Sequence, residues 1–472
     1  MDHFPTQPVR PEAYRRFEHP TPDWYTDAKL GIFVHWGPYS VPAWAEPIGP
    51  LGAFEPEWWF RHNPYAEWYY NTIRIEGSPA QQHQMDTYGN LDYEQFIDTW
   101  QAEKFDADAV MDIVAATGAR YFVPTTKHHD GVTLWDAPHT GDRNTVKRGP
   151  KRDLVAEFRD AAVRRGIKFG VYYSGGLDWH FSNLPPIAGE IVDALRPVDA
   201  AYSDYAFDHV IDLVDRYQPQ VLWGDIEWPD AGKEPGPKSL FAMFDHFYQA
   251  APEGVVNDRW GLTHWDFRTS EYVHGLDAET SQTWENCRGI GFSFGYNTLE
   301  DESHYLSGPD AIQNFIDVIS RGGNYLLNIG LTAAGEVPAI QERTLRDLGA
   351  FNALHGDAIF GSRPLDPTIA RASDEPWVRW TSRDGAAHAF VIAPQEVPLP
   401  IDPTSLGVEG LAAVGAEASA KFGWTDVARF AEMGIPAVNF GPGNPSKAHA
   451  DDEFCPAAEV YRCRDALLAW LG

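Results

Sequence analysis

Polar side chains able to do chemistry recur along this sequence where short apolar runs give out. His35 closes Gly31-Ile32-Phe33-Val34, His128 and His129 follow Tyr121 to Thr126, and Tyr172 and Tyr173 lie in Phe169 to Ser174. Asp225 ends the run that holds Val221, Leu222 and Trp223, Asp258 and Arg259 follow Val255-Val256-Asn257, Glu271 follows Phe267 to Ser270, and Asn328 falls in Tyr325 to Gly330. Asp225 and Glu271 are thus carboxylates on separate runs, with His, Tyr, Trp and Arg for company. Glycoside hydrolysis needs such a pair: one ionised carboxylate attacks the anomeric carbon while a second, kept protonated, donates to the departing oxygen. Trp, Tyr and Phe number 18, 20 and 26, and many stand beside polar residues. Such rings suit a wet cleft for a ligand that is apolar on one face and hydroxylated at its edge.

Each position also has a purely structural reading, with the histidine pair satisfied by backbone carbonyls, Asp225 as a helix N-cap and Glu271 as a solvated loop carboxylate. What favours chemistry is convergence, and convergence requires a fold that gathers distant residues. Ala109, Val110, Ile113 and Val114 form a helical stripe ended by Gly118, before the strand Tyr121-Phe122-Val123. A helix capped by Asp153 and stopped at Gly166 precedes strand Lys168 to Ser174; a stripe from Phe207 to Tyr217 precedes the strand VLWGD. Further helix–strand pairs are expected at Leu240 to Ala250 before VVNDR and at Ala311 to Ser320 before NYLLNIG. Repeated alternation over about 330 residues predicts an α/β fold, a TIM-like (β/α) barrel, whose active sites lie at the C-terminal ends of the strands. No G-x-G-x-x-G opens a helix after a strand, so a dinucleotide fold lacks its signature. Adjacent strand residues point to opposite faces, which makes His128-His129 a poor pair of metal ligands; no metal and no cofactor are expected.

The 472 residues carry 68 acidic and 37 basic side chains, a net charge of −31. That field repels phosphate backbones and anionic lipid heads, so neither nucleic acid nor a membrane is an expected partner. No run approaches the roughly 20 apolar residues of a membrane helix, and Met1 to Arg16 has no apolar core, so a soluble, cytoplasmic chain is expected. Cys287, Cys455 and Cys463 form neither a C-x-x-C pair nor a disulfide framework. A homo-oligomer is left open.

Seven runs in order identify a relationship. WYTDAKLGIFVHWGPYSVPAW from Trp24, AEWYY from Ala66, TKHHDGVTLWD from Thr126, VYYS from Val171, VLWGDIEW from Val221, NDRW from Asn257 and NYLLNIG from Asn324 together resemble glycoside hydrolase family 29, the α-L-fucosidases. The resemblance implies a retaining double displacement that releases L-fucose from the non-reducing end of a fucosylated oligosaccharide or glycoside, without metal. It matches Asp225 to the nucleophile and His35, His128 and His129 to histidines that bond the fucose hydroxyls. Glu67 and Trp68 complete that shell, with Tyr65 beside them and Trp223 of the W-x-D run lining the same pocket. Tyr172 is similar to the family's tyrosine near the nucleophile, with Tyr173 competing for that place, and Arg259 resembles the arginine near the reacting centre. Glu271, in R-T-S-E-Y, looks like the acid/base position with Ser270 in place of a proline; Glu285 and Glu227 are the alternatives.

The expected organisation is a catalytic barrel over 1–360, partial β-sandwich strands over 361–408 and an αβ tail over 409–472. Family members usually continue into a complete sandwich, whereas Trp377 to Pro400 reads like its first strands only. From Glu417 onward the sequence resembles the C-terminal end of the zinc-dependent succinyl-diaminopimelate desuccinylases, and His449 matches one metal ligand of that family. One histidine cannot build a zinc site that needs three or four protein ligands, so the tail is expected to be non-catalytic. The rival readings are a fucose-binding module that has lost catalysis and, on the tail alone, a metal-dependent amide hydrolase.

Overall fold

Eight parallel strands carry the site: β1 (Leu30–His35), β2 (Tyr121–Lys127), β3 (Lys168–Ser174), β4 (Val221–Asp225), β5 (Val255–Val256), β6 (Arg268–Glu271), β7 (Trp284–Gly289) and β8 (Asn324–Gly330). Their order in the sheet is β5-β4-β3-β2-β1-β8-β7-β6, a curled (β/α) barrel whose seam falls between β5 and β6. The computed structural model describes residues 10–49, 54–272, 282–375, 377–392, 461–462 and 464–465.

The local signals act as their chemistry requires. Asp153 accepts the N–H of Ala156 at 2.9 Å and so opens the helix Leu154–Arg164, while Gly166, at φ +67°, lets the chain turn into β3. The helices expected before β2, β4, β5 and β8 run Ala107–Ala116, Ala200–Tyr217, Leu240–Ala250 and Gly308–Ser320. Inside the barrel, Phe33, Tyr121, Val123, Tyr172, Val221, Trp223, Val255, Phe267, Cys287 and Leu326 interlock. Phe33 packs its ring against His35, Tyr172 and Trp223 at centroid separations of 4.7, 5.7 and 5.0 Å. A buried phenylalanine of this kind is worth about 3–5 kcal/mol against alanine, and here that packing braces the site from below.

The seam has no strand ladder. Asp266 reaches across instead, its N–H donating to the Val256 carbonyl and its carboxylate accepting the Val256 N–H, both at 2.8 Å. Above it the Asp258 carboxylate accepts from the backbone and hydroxyl of Thr269 and from Arg268 Nε. Side chains, with the Asp266 and Phe267 N–H groups that both reach the Val256 carbonyl, therefore do the joining that a full ladder does elsewhere.

Met1–Val318 with Gly322–Gly356 forms one compact unit, and Ile319–Arg321 with Asp357–Gly472 the other. In the second, β9 (Arg363–Pro364), β10 (Ser373–Asp374), β11 (Trp377–Arg383) and β12 (Ala386–Ile392) make an antiparallel sheet in which β11 pairs with the other three. The strands expected from Trp377 are β11 and β12. Residues 393–400 lie outside the described residues, as does the tail apart from Tyr461, Arg462, Arg464 and Asp465. Among the described residues no helix is long and apolar enough to cross a membrane.

Candidate active site

Alternation along β4 turns Val221, Trp223 and Asp225 to the barrel axis, and Asp225, last in the strand, reaches the mouth. The backbone beneath it is clamped: the Asn257 side-chain amide accepts from Gly224 N–H at 2.8 Å and donates to the Gly224 carbonyl at 2.9 Å, extending the β5 ladder past its last residue. Asp225 caps no helix, because Ile226 and Glu227 follow with positive φ. Its carboxylate accepts the Tyr172 hydroxyl at 2.7 Å and Arg259 Nη1 at 3.1 Å. Burial alone would push this carboxyl up; the Arg259 charge, His129 and the Tyr172 hydroxyl outweigh it and hold Asp225 below its ordinary value. The choice between the two tyrosines is settled by the pleat, since Tyr173 points to the outer layer, where its hydroxyl meets His209 at 3.0 Å.

Glu271 ends β6 and comes to the same guanidinium. Arg259 Nη2 donates to its Oε2 at 2.8 Å, and the Tyr65 hydroxyl donates to Oε1 at 3.4 Å. Arg259 Nε is bonded to Thr269 at 3.1 Å and the guanidinium lies 4.8 Å above the Trp223 ring, so its plane is fixed on three sides. Burial disfavours its charge, but Glu271, Cys287 and Asp225 more than compensate.

The three histidines gather opposite. His35 Nδ1 lies 2.7 Å from Asn328 Oδ1, whose own amide nitrogen donates to the Phe294 carbonyl at 2.7 Å. That fixes the amide and makes His35 Nδ1 the donor, leaving Nε2 as an acceptor. His129 Nδ1 faces Ser174 Oγ at 2.7 Å; the hydroxyl gives its proton to the Leu177 carbonyl, so His129 is also a donor at Nδ1, and its Nε2 stands 3.8 Å from Asp225. Burial is the first cause that lowers His35 to about 4 and His129 to about 3, and it holds His128 well below its ordinary value. All three are neutral near pH 7, with bare nitrogens for hydroxyl protons. His128 Nδ1 is buried with no hydrogen-bond partner among the described residues. The opposite-face argument fails for His128-His129 because β2 stops at Lys127; past the strand both rings turn to the site, 4.0 Å apart, His128 stacked on Tyr172 and His129 edge-on to Trp68.

Glu67 and Trp68 sit in the single turn Ala66–Trp68, both buried. Burial pushes Glu67 up to about 7 against bonds from Gly295 and Ser293. The two alternatives for the second carboxylate stand elsewhere. Glu285 is on the barrel floor, with Oε1 taken by Trp223 Nε1 at 2.9 Å and Oε2 by the Tyr25 and Tyr121 hydroxyls at 2.9 and 2.5 Å. Glu227 is spent on Arg196 and Lys233. Asn257, Ser174, Ser293 and Phe294 serve the site without having been singled out; only Asn257, beside Asp258-Arg259, carried a local signal.

A (β/α) barrel whose mouth holds two carboxylates on one guanidinium, walled by aromatic rings and neutral histidines, is the architecture of a glycoside hydrolase. The alpha-L-fucosidase family model matches residues 3–357, and the chain belongs to that family. It is 29% identical to the alpha-L-fucosidase of Dictyostelium discoideum over 79% of this chain and 78% of that protein, and 31% identical to the tissue alpha-L-fucosidase of Homo sapiens over 79% and 76%. Among solved structures, Thermotoga maritima alpha-fucosidase is 44% identical with a TM-score of 0.72, covering 79% of this chain and 83% of that one. The family match ends at 357, and the desuccinylase-like tail finds no support in these relatives.

Proposed function

We propose that this chain is a retaining, exo-acting α-L-fucosidase in which Asp225 is the nucleophile and Glu271 the acid/base. The single observation that carries the reading is Arg259, which binds Asp225 with one terminal nitrogen and Glu271 with the other. Carboxylates that share the two ends of one planar guanidinium lie close together, as a retaining pair must, rather than at the longer separation that leaves room for a water. In the first step an Asp225 oxygen forms a bond to the anomeric carbon. The electrons of the breaking glycosidic bond pass to the leaving oxygen, which takes the Glu271 proton. In the second step Glu271, now ionised, takes a proton from water as the water oxygen displaces Asp225, and fucose leaves with its configuration retained. His35, His128, His129, Glu67 and Trp68 hold the sugar, with Tyr65 and Tyr172 at the reacting side and Trp223 beneath it. A module that had merely kept fucose binding would not need the Arg259 clamp.

The Asp225→Gly variant tests this. Turnover of 4-nitrophenyl α-L-fucoside should stop, and added azide should restore part of it with β-fucosyl azide as the product. Undiminished turnover would sink the assignment. We further propose, from sequence alone, that the barrel ends near 360 and that the tail from 409 is a non-catalytic appendage. Fucosidase activity should then survive a metal chelator, and loss that zinc restores would revive the amide-hydrolase reading.

A further inference from the structure

A second carboxylate network lies behind the sugar-binding wall. Residues 292–295 follow β7 and cross the mouth toward β8. Glu300, half-buried, accepts the N–H groups of both Phe292 and Ser293 on Oε1, at 2.7 and 2.9 Å. Its Oε2 approaches Gly291 so closely that a Cβ there would come within 2.3 Å of it. Gly330 seats the segment from the other side, where a Cβ would meet the Tyr296 nitrogen at 2.3 Å and the Phe294 carbonyl oxygen at 2.8 Å.

Three residues of this segment reach the site. Ser293 Oγ accepts the Ala66 N–H at 2.9 Å and stands 3.1 Å from Glu67 Oε2 and 2.7 Å from the Gly295 carbonyl, with one proton to give between them. Gly295 N–H donates to the same Glu67 oxygen at 2.7 Å. The Phe294 carbonyl fixes Asn328, which orients His35, and the Phe294 ring lies 5.0 Å from His35 and 5.8 Å from Tyr65.

We infer that Glu300 is a positioning residue for sugar recognition: by holding residues 292–295 it sets the orientation of Glu67 and His35. The inference rests on the fucosidase reading above. Among the described residues Glu300 bonds neither Asp225 nor Glu271; the segment it holds meets Glu271 only through its neighbours, Tyr272, whose hydroxyl donates to the Phe292 carbonyl at 2.6 Å, and Tyr65, so the larger effect falls on binding. Glu300 opens behind the wall into a cleft of about 420 Å³ shared with Tyr296, Tyr305, Thr332 and Glu336. Burial raises Glu300 to about 8, so near neutrality it is mostly protonated and its task is to accept two N–H bonds, which an amide oxygen can also do.

Kinetics on 4-nitrophenyl α-L-fucoside, with fucose as product inhibitor, test the role. Glu300→Ala frees two amides, a cost that corresponds to roughly 5- to 100-fold. KM and the fucose inhibition constant should rise together by that factor while kcat stays within about threefold. Glu300→Gln should restore wild-type constants. Glu300→Asp, one methylene short, should behave like Glu300→Ala and replaces it if the alanine variant does not fold. A merely structural role would lower the active fraction and leave both constants unmoved. Wild-type constants in Glu300→Ala or Glu300→Asp, or a Glu300→Gln variant as impaired as Glu300→Ala, would overturn the inference. Failure of the underlying reading would show separately, as a wild type that neither turns over the aryl fucoside nor binds fucose.

Discussion

Arg259→Met removes the cation that touches both carboxylates while keeping an unbranched side chain over Trp223. Asp225 then faces its burial with the Tyr172 hydroxyl in support and a neutral His129 beside it. An opposite charge at this range lowers a carboxylate by about 1–3 pH units, so losing it should raise Asp225 by that amount, or about 1.4–4 kcal/mol of lost preference for the ionised form. In the proposed mechanism Asp225 must be ionised to attack. The acid limb of kcat/KM, followed against pH with an aryl fucoside, should therefore move up by about 1–3 units. The linked stability has the matching sign: a carboxyl depressed in the fold contributes stability above its unfolded value and loses it as pH falls through the folded one, so the variant should lose less stability than the wild type on acidification. An acid limb that stays in place, in a variant that folds, would show that Arg259 does not hold Asp225 ionised.

The two carboxylates proposed and set aside as acid/base are separable by leaving group. Glu271→Ala should slow fucosides with poor leaving groups by about 10²–10⁴-fold and aryl fucosides far less, whereas Glu285→Ala should slow both alike; the reverse pattern would exchange the assignments. Glu285 is raised by burial to about 7, so its contribution to stability is complete below its unfolded value and is lost as pH rises toward 7. Urea unfolding should therefore show the difference between wild type and Glu285→Gln moving in favour of glutamine by about 3 kcal/mol between roughly pH 4.5 and pH 8, and a pH-independent difference would contradict it.

Strand ends were readable because a parallel barrel leaves few choices: an apolar run of barrel length that stops at a polar residue puts that residue at the mouth. Hence Asp225, Glu271 and His35 stand where their runs end. Period-two alternation, applied to Phe169 to Ser174, already separates Tyr172 from Tyr173. The same rule misled at His128-His129, since one sequence does not show that β2 stops at Lys127. Ser293, Phe294 and Glu300 were silent for a different reason. Their roles are set by contacts with Glu67 and Asn328, far off in the chain or in another loop, and no local spacing encodes a bond to a backbone amide. The seam was equally hidden, because Asp258 reads as one more strand-end acid until Thr269 and Arg268 are found around it.

The two carboxylates stand on strands with unequal freedom. β4, which carries Asp225, is bonded on both sides, to β3 and β5, so a one-residue slip would break two ladders and turn Asp225 to the wrong face. β6, which carries Glu271, is laddered to β7 on one side, and on the other it meets β5 without a ladder, through the Asp266 N–H on the Val256 carbonyl and the side chains of Asp258 and Asp266. Lengthening or re-registering β6 disturbs one ladder and a few side chains. Across the barrel mouth this divides what is anchored from what can be re-sited. On the proposed roles, selection for a different leaving group can relocate the proton donor, Glu271, without refolding the strand that carries Asp225.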